Sequence, residues 1–372
     1  MKLDAAESPP LSGVRVVDLS RLLPGPFCTW YLSALGAEVI RIERPGQGDP
    51  TRVIPPFVEG QSVFHASLNR GKASVALDTR EPLGQEALLS LLETADVVVE
   101  SFRPGTLQGT GLAPQELRER FPRLIVASIT GFGQTGPLAT EPGHDLNFAG
   151  YSGMIAGEGR HEPPLLQVAD LAGGALSACI GILAALIGRE RSGEGRTVDV
   201  SMTEGALALM GPHLAMARAE GREFRPGSEL LSGGMAAYRV YPCKDGKLLC
   251  VAPLEPKFWA AFTEAVGEQV SPNQEALSAL FLRRDRADWV RLLPSTCITP
   301  ALGVEEIFEE AHFHARGCFE SVLGIEMVRD PFGHTTNADV PLLGGDTERI
   351  LSELDIPLQR LLHEGIAATP DD

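Results

Sequence analysis

Short runs rich in valine and isoleucine alternate along the chain with longer runs whose apolar residues recur every three or four positions. Residues 14–19 read as a strand. Helical spacing follows over 26–35, with Gly36 as its stop. The pattern repeats as a strand at 38–42, a strand at 75–77, a helix at 82–93 and a strand at 96–99. A helix near 114–121 and a strand at 124–129 complete it. Strands separated by helices of this length predict parallel pairing through right-handed crossovers, hence an α/β fold. The longest apolar run, about 14 residues over 175–188, falls short of the ~20 needed to cross a bilayer. It reads as a buried helix reaching Arg191, with Gly193 beyond.

Near residue 205 the texture changes. A helix-like run at 206–220 contains Pro212, which kinks or splits it. A glycine-rich stretch at 227–234 leads to two strand-like segments, 238–241 and 248–252. Lys244-Asp245-Gly246-Lys247 between them is a hairpin turn. A helix at 255–266 follows, and the amphipathic tail at 346–362 is expected to return to the first domain. The expected organisation is a large domain over 1–205, a linker helix over 206–225, a smaller α+β domain over 226–325 and a returning segment over 326–372.

A length of 372 residues suits two domains. The balance of 32 basic and 49 acidic residues leaves −17, which disfavours nucleic acid and anionic membrane surfaces as partners. A few placed arginines still suffice for a small anion. Six scattered cysteines without a Cys-x-x-Cys pair fit reduced thiols and a cytoplasmic location. Residues 1–13 lack the basic start and apolar run of a signal peptide.

Three segments could carry chemistry. In Gly143-His144-Asp145, Asp145 is expected to cap a helix from Leu146. The N–H groups and partial positive charge of that helix start could hold an oxyanion beside His144. Asp170 also opens a helix, just before Gly173 and Gly174, and Glu255 stands between a strand and the helix begun by Pro256. Taken singly, each acid fits a plain helix cap equally well. Arg41, Arg44, Arg70, Lys72 and Arg103 fall at or after strand ends, where open α/β sheets bind ligands, and together suggest a phosphorylated small molecule. Walker, nucleophile-elbow, zincin and dinucleotide glycine motifs are missing, and no metal-ligand spacing stands out.

With these residues in view, the chain resembles the family III coenzyme A transferases and, within that fold, the α-methylacyl-CoA racemases. The likeness runs through Leu22-Leu23-Pro24-Gly25-Pro26, Asn69-Arg70-Gly71-Lys72, Phe102-Arg103-Pro104-Gly105 and Gly131-Phe132-Gly133-Gln134-Thr135-Gly136-Pro137, and extends to Pro341-Leu342-Leu343-Gly344-Gly345. It implies a Rossmann-like CoA-binding large domain, a smaller domain and an interlocked homodimer. It further implies a racemase of 2-methylacyl-CoA thioesters, with His144 and Asp170 as the two acid/base groups. Glu255 would orient His144, and the Asp145 N–H would stabilise an enolate. CoA would enter as part of the substrate, with no other cofactor and no metal. The alternative is a CoA-transferase with Asp170 as nucleophile.

Overall fold

The computed structural model describes residues 8–159, 161–332 and 339–371, so residues 1–7, part of the segment read for a leader, lie outside the described residues. The chain divides into two compact units. The first comprises Met1–Ser152, Pro164–Leu209 and His314–Asp372; the second comprises Gly153–Pro163 and Met210–Phe313.

The first unit is built on a mixed, predominantly parallel sheet of seven strands. These are β1 (Arg15–Asp18), β2 (Glu38–Glu43), β3 (Ala73–Leu77), β4 (Val97–Glu100), β5 (Ile125–Thr130), β6 (Thr197–Ser201) and β7 (Ala367–Ala368). Their spatial order is β7-β3-β2-β1-β4-β5-β6. Adjacent strands are parallel except β7, which runs antiparallel to β3. The strands read from valine-rich runs all form, within a residue or two of their expected bounds. β6 and β7 were not anticipated.

The helices follow their local signals. α1 (Pro24–Ala34), α3 (Pro82–Glu93) and α4 (Pro114–Arg120) open on proline, and α2 (Val63–Asn69) is capped by Ser62. α1 stops before Gly36, whose φ of +99° and close approach to Pro9 exclude a side chain. The apolar face of α3, Ala87, Leu88, Leu91 and Leu92, packs with Val17, Ile40, Val75 and Val98 in one core. Ile350, Leu351, Leu361 and Ile366 complete that core, so the tail returns to the first unit as expected. It does so as two short helices, Thr347–Leu351 and Leu358–His363, rather than one.

The long apolar helix differs from expectation. α-Helical geometry holds from Ser177 to Ser192, here α6, but the preceding turn and a half, Ala169–Leu176, is a π-helix. The continuous helical run, Ala169–Ser192, is thus long and apolar enough by composition to cross a membrane. In the first unit it packs as a half-buried helix. Ala178, Cys179, Ile182, Ala185 and Leu186 are buried, while Ile180 and Ile187 stand 69% and 59% exposed. The run expected at 206–220 is two helices, α7 (Met202–Leu209) and Gly211–Ala219, with Pro212 in the first turn of the second.

The second unit carries an antiparallel sheet in the order Ile298–Pro300, Leu248–Val251, Arg239–Pro242, which contains the expected hairpin. Helices Pro256–Val266, Gln274–Phe281 and Arg286–Leu292 pack on it around Tyr241, Leu249, Phe262, Phe281 and Trp289.

Charged groups hold the carboxyl ends of β1 and β2 together. Asp18 and Arg41 are both buried and pair at 3.1 Å, and Arg41 also bridges to Asp49. Ser20 and Thr29 donate to Asp18, and Glu43 takes Arg52 and the Ser74 hydroxyl. Removing one partner of a buried pair strands the other's charge and costs about 3–5 kcal/mol. Arg41→Ala is therefore expected to lower unfolding stability by that amount in urea titrations. Arg44→Ala, at a half-exposed side chain, should change it by no more than about 0.5 kcal/mol. Equal effects for the two would show that the buried pair does not carry stability.

Candidate active site

The strand order reverses between β1 and β4, and an open α/β sheet binds its ligands in the crevice outside that reversal. Leu19-Ser20-Arg21 leaves β1 there and Ser101-Phe102-Arg103 leaves β4, with the Arg21 N–H donating to Ser101 Oγ at 3.1 Å. Two cavities flank the reversal. One, of about 260 Å³, has an apolar floor that includes Ile42, Leu77, Leu88 and Leu112. Arg44, Arg80 and Asp78 stand at its rim. Asp78 binds Arg80 through both carboxylate oxygens and lies 3.9 Å from Arg44, holding two guanidinium groups at the same edge. The other cavity, of about 400 Å³, is lined by Arg21, Ser101, Arg103, Gly131, Gly143, His144, Asp170 and Met202 among others.

His144 reaches the second cavity from the N-terminus of α5 (Asp145–Tyr151). It is itself the residue before the helix, and its N–H donates to Asn147 Oδ1 at 3.0 Å. The expectation that Asp145 caps this helix is corrected: Asp145 is its first residue, and its carboxylate accepts the Asp170 N–H at 3.0 Å. Gly131 and Gly143 both press on the Phe148 ring, where a Cβ on either would lie 2.3 or 2.5 Å from a ring carbon. Their lack of side chains lets two loops close over one aromatic ring beside His144.

Asp170 stands in the first turn of the π-helix. Across this segment the backbone meets α7 directly. A Cβ on Gly205 would fall 2.1 Å from the Gly173 carbonyl oxygen, and one on Gly173 would fall 2.6 Å from that of Met202. The glycines after Asp170 thus dock its helix on α7. Oδ1 of Asp170 is buried without a hydrogen-bond partner among the described residues. Burial, and then the charge of Asp145, raises its carboxyl from the ordinary 3.8 to about 7. A carboxyl that titrates near neutrality can both take up and return a proton.

The five cations separate. Arg44 and Arg103 line the flanking cavities. The other three make their contacts within the protein. Arg41 lies in the wall of the smaller cavity, but its guanidinium is spent on Asp18, Asp49 and the Ser20 carbonyl. Arg70 is held by Glu320 and the carbonyls of Ser67 and Val328, 4.6 Å over the Trp30 ring. Lys72 is buried against Pro26, Thr29 and Asn69, and burial lowers its ammonium to about 7. Glu255 is exposed in the second unit, immediately before its helix Pro256–Val266. Arg80 was missed. It follows β3 as Arg44 follows β2, and the same strand-end pattern could have found it.

This fold and cleft have counterparts in a known family of enzymes, as the comparisons show. It belongs to CoA-transferase family III, whose model matches residues 11–347. The chain is 33% identical to the human alpha-methylacyl-CoA racemase over 92% of its length and 93% of that protein. It is also 32% identical to the mouse succinyl-CoA:glutarate CoA-transferase, over 98% of its length and 91% of that protein. A crystal structure of a CAIB/BAIF family protein from Brucella suis superposes with a TM-score of 0.82 at 30% identity. That match covers 94% of this chain and all of the other.

The raised Asp170 carboxyl makes stability depend on pH. The folded state holds that proton to about pH 7, while the unfolded chain releases it near 3.8. Stability therefore falls as pH rises through this window and stays lower above it. Asp170→Asn, which cannot ionise, should be more stable than the parent at pH 8, by roughly 4 kcal/mol at most. The gain should vanish by pH 4. Urea unfolding at the two pH values measures it, and an equal difference at both would refute the shift.

Proposed function

We propose that this enzyme is a 2-methylacyl-CoA racemase. The observation that carries the reading is one cleft lined by two chemically different proton carriers, His144 and Asp170, the latter titrating near 7. Inverting a carbon beside a thioester requires removing its α-proton and returning a proton to the opposite face. One group takes the proton, the C–H electron pair moves into an enolate, and the other group protonates the same carbon. An imidazole and a carboxyl can begin in opposite protonation states, as either direction requires. The Asp145 N–H, in the first turn of α5, is the proposed donor to the enolate oxygen. Glu255 is the proposed orienting carboxylate for His144, as the family resemblance implies. The CoA phosphates would meet Arg44, Arg80 and Arg103, with the adenine over the apolar floor of the smaller cavity.

Deuterium exchange on separated (R)- and (S)-2-methylacyl-CoA tests the assignment. Both His144→Ala and Asp170→Asn should abolish racemisation. Each should keep residual α-hydrogen exchange, but with opposite enantiomer preferences, because the surviving base still serves its own face. Identical preferences would remove the two-base assignment. CoA transfer to an acceptor acid that survives in His144→Ala and is lost in Asp170→Asn would establish a transferase. The partner-free Oδ1 of Asp170 suits that nucleophilic role too.

The proposal includes a homodimer. Ile180, Ala184 and Ile187 form an exposed apolar face on α6, at the spacing of one helix side. Light scattering should give twice 39.8 kDa at micromolar concentration. A stable species at 39.8 kDa would count against it.

A further inference from the structure

We infer that the Asp145 side chain is a positioning residue that ties Asp170 to the His144 turn, so that one carboxylate sets the spacing of both proton carriers. The inference rests on the acid/base roles proposed above. A carboxylate in the first turn of a helix ordinarily turns back to the N–H groups of its own helix. The N–H of His144 is already satisfied by Asn147, and Asp145 reaches 25 residues along the chain to the N–H of Asp170 instead. That N–H lies in the first turn of the π-helix, where backbone donors have no intrahelical partner. Asp145 therefore caps a helix to which it does not belong. Being the residue after His144, it joins the two groups through one peptide unit and one hydrogen bond. Its own burial, at 8% exposure, keeps solvent from replacing the contact.

The same contact acts on proton affinity. The charge of Asp145 adds to burial in holding the Asp170 carboxyl near 7. The other ionisable groups in the cleft are Arg21, Arg103, Glu141 and His144, and the elements packed on the π-helix also carry Tyr31 in α1, Tyr151 in α5, Asp199 in β6 and Glu204 in α7. Cys28 and Cys179, on the packed helices α1 and α6, are buried thiols kept protonated by that burial. Among the described residues, Asp145 is the charged neighbour that moves Asp170.

The test compares Asp145→Asn, which keeps an acceptor oxygen and loses the charge, with Asp145→Ala, which loses both. In protein labelled with 15N-aspartate, the Asp170 amide signal, recognised by its absence from Asp170→Asn, reports the hydrogen bond. Its pH titration reports the carboxyl. Asp145→Ala should move the amide proton upfield and lower kcat about 100-fold, the scale of a 1 Å misplacement, with little change in KM. Asp145→Asn should keep the amide shift, lower kcat less than tenfold, and move the Asp170 titration and the matching limb of the pH–rate profile to lower pH. An amide shift and titration midpoint unchanged in Asp145→Ala would overturn the inference. If Asp145→Ala does not fold, an Asp170 amide in the parent that exchanges with solvent at the rate of an unbonded amide overturns it equally. Parent enzyme without α-proton exchange, but with the amide and titration responses intact, would remove the racemase reading and leave the tie standing.

Discussion

The carboxylate of Asp18 is the point from which the first unit is organised. It sits at the carboxyl end of the central strand and receives Arg41 from β2, the hydroxyl and N–H of Ser20 beyond β1, and Thr29 from α1. Lys72 stands 3.8 Å away at the entrance to β3. Four neighbouring segments are thus aligned on one buried charge. An isolated buried carboxylate would be too costly to keep ionised, and here its cations hold it below the ordinary range against the effect of burial. The arrangement fixes where β1 ends, and therefore where the crevice begins.

From that fixed edge the site is assembled by close backbone approach rather than by large side chains. Gly131 and Gly143 close over Phe148, and Gly173 and Gly205 let the π-helix and α7 meet backbone to backbone. Ser201 and Thr203 add the remaining ties. The Glu204 N–H is capped by Ser201, and Thr203 donates to the Gly131 carbonyl at 2.7 Å. The loop beside His144 and the helix bearing Asp170 are both referenced to α7, so neither can shift without the other.

Much of this was legible in the chain. Valine-rich runs and proline-started helices have a local cause, so the strands from 14 to 129 and α3 were readable from the sequence. The pairing order was not, because it depends on crossovers between distant segments. β6 escaped because Thr197-Val198-Asp199-Val200-Ser201 alternates polar and apolar residues on an edge. The π-turn left no mark beyond Gly173-Gly174. His144 and Asp170 were identified from motif and resemblance, and the structure brings them to one cleft. The cations differ in surroundings that their positions in the chain did not reveal. A strand-end arginine looks the same whether it faces a ligand or a buried acid, and the distinction lay in the acids Asp18, Asp49 and Glu43 near Arg41.

The sheet of the first unit is closed by residues far along the chain. β7 covers the edge of β3, Asp346 and Thr347 accept the N–H groups of Ser74 and Ala76, and Leu351 and Leu361 fill the core. During synthesis, the whole of the second unit emerges before these pieces exist. At about 5–20 residues per second, the nascent protein spends roughly 15–60 seconds with one edge of its sheet unpaired and its core unfilled. An open parallel edge is a template for other extended chains. For that interval the order of synthesis, rather than the finished fold, decides what the edge can pair with.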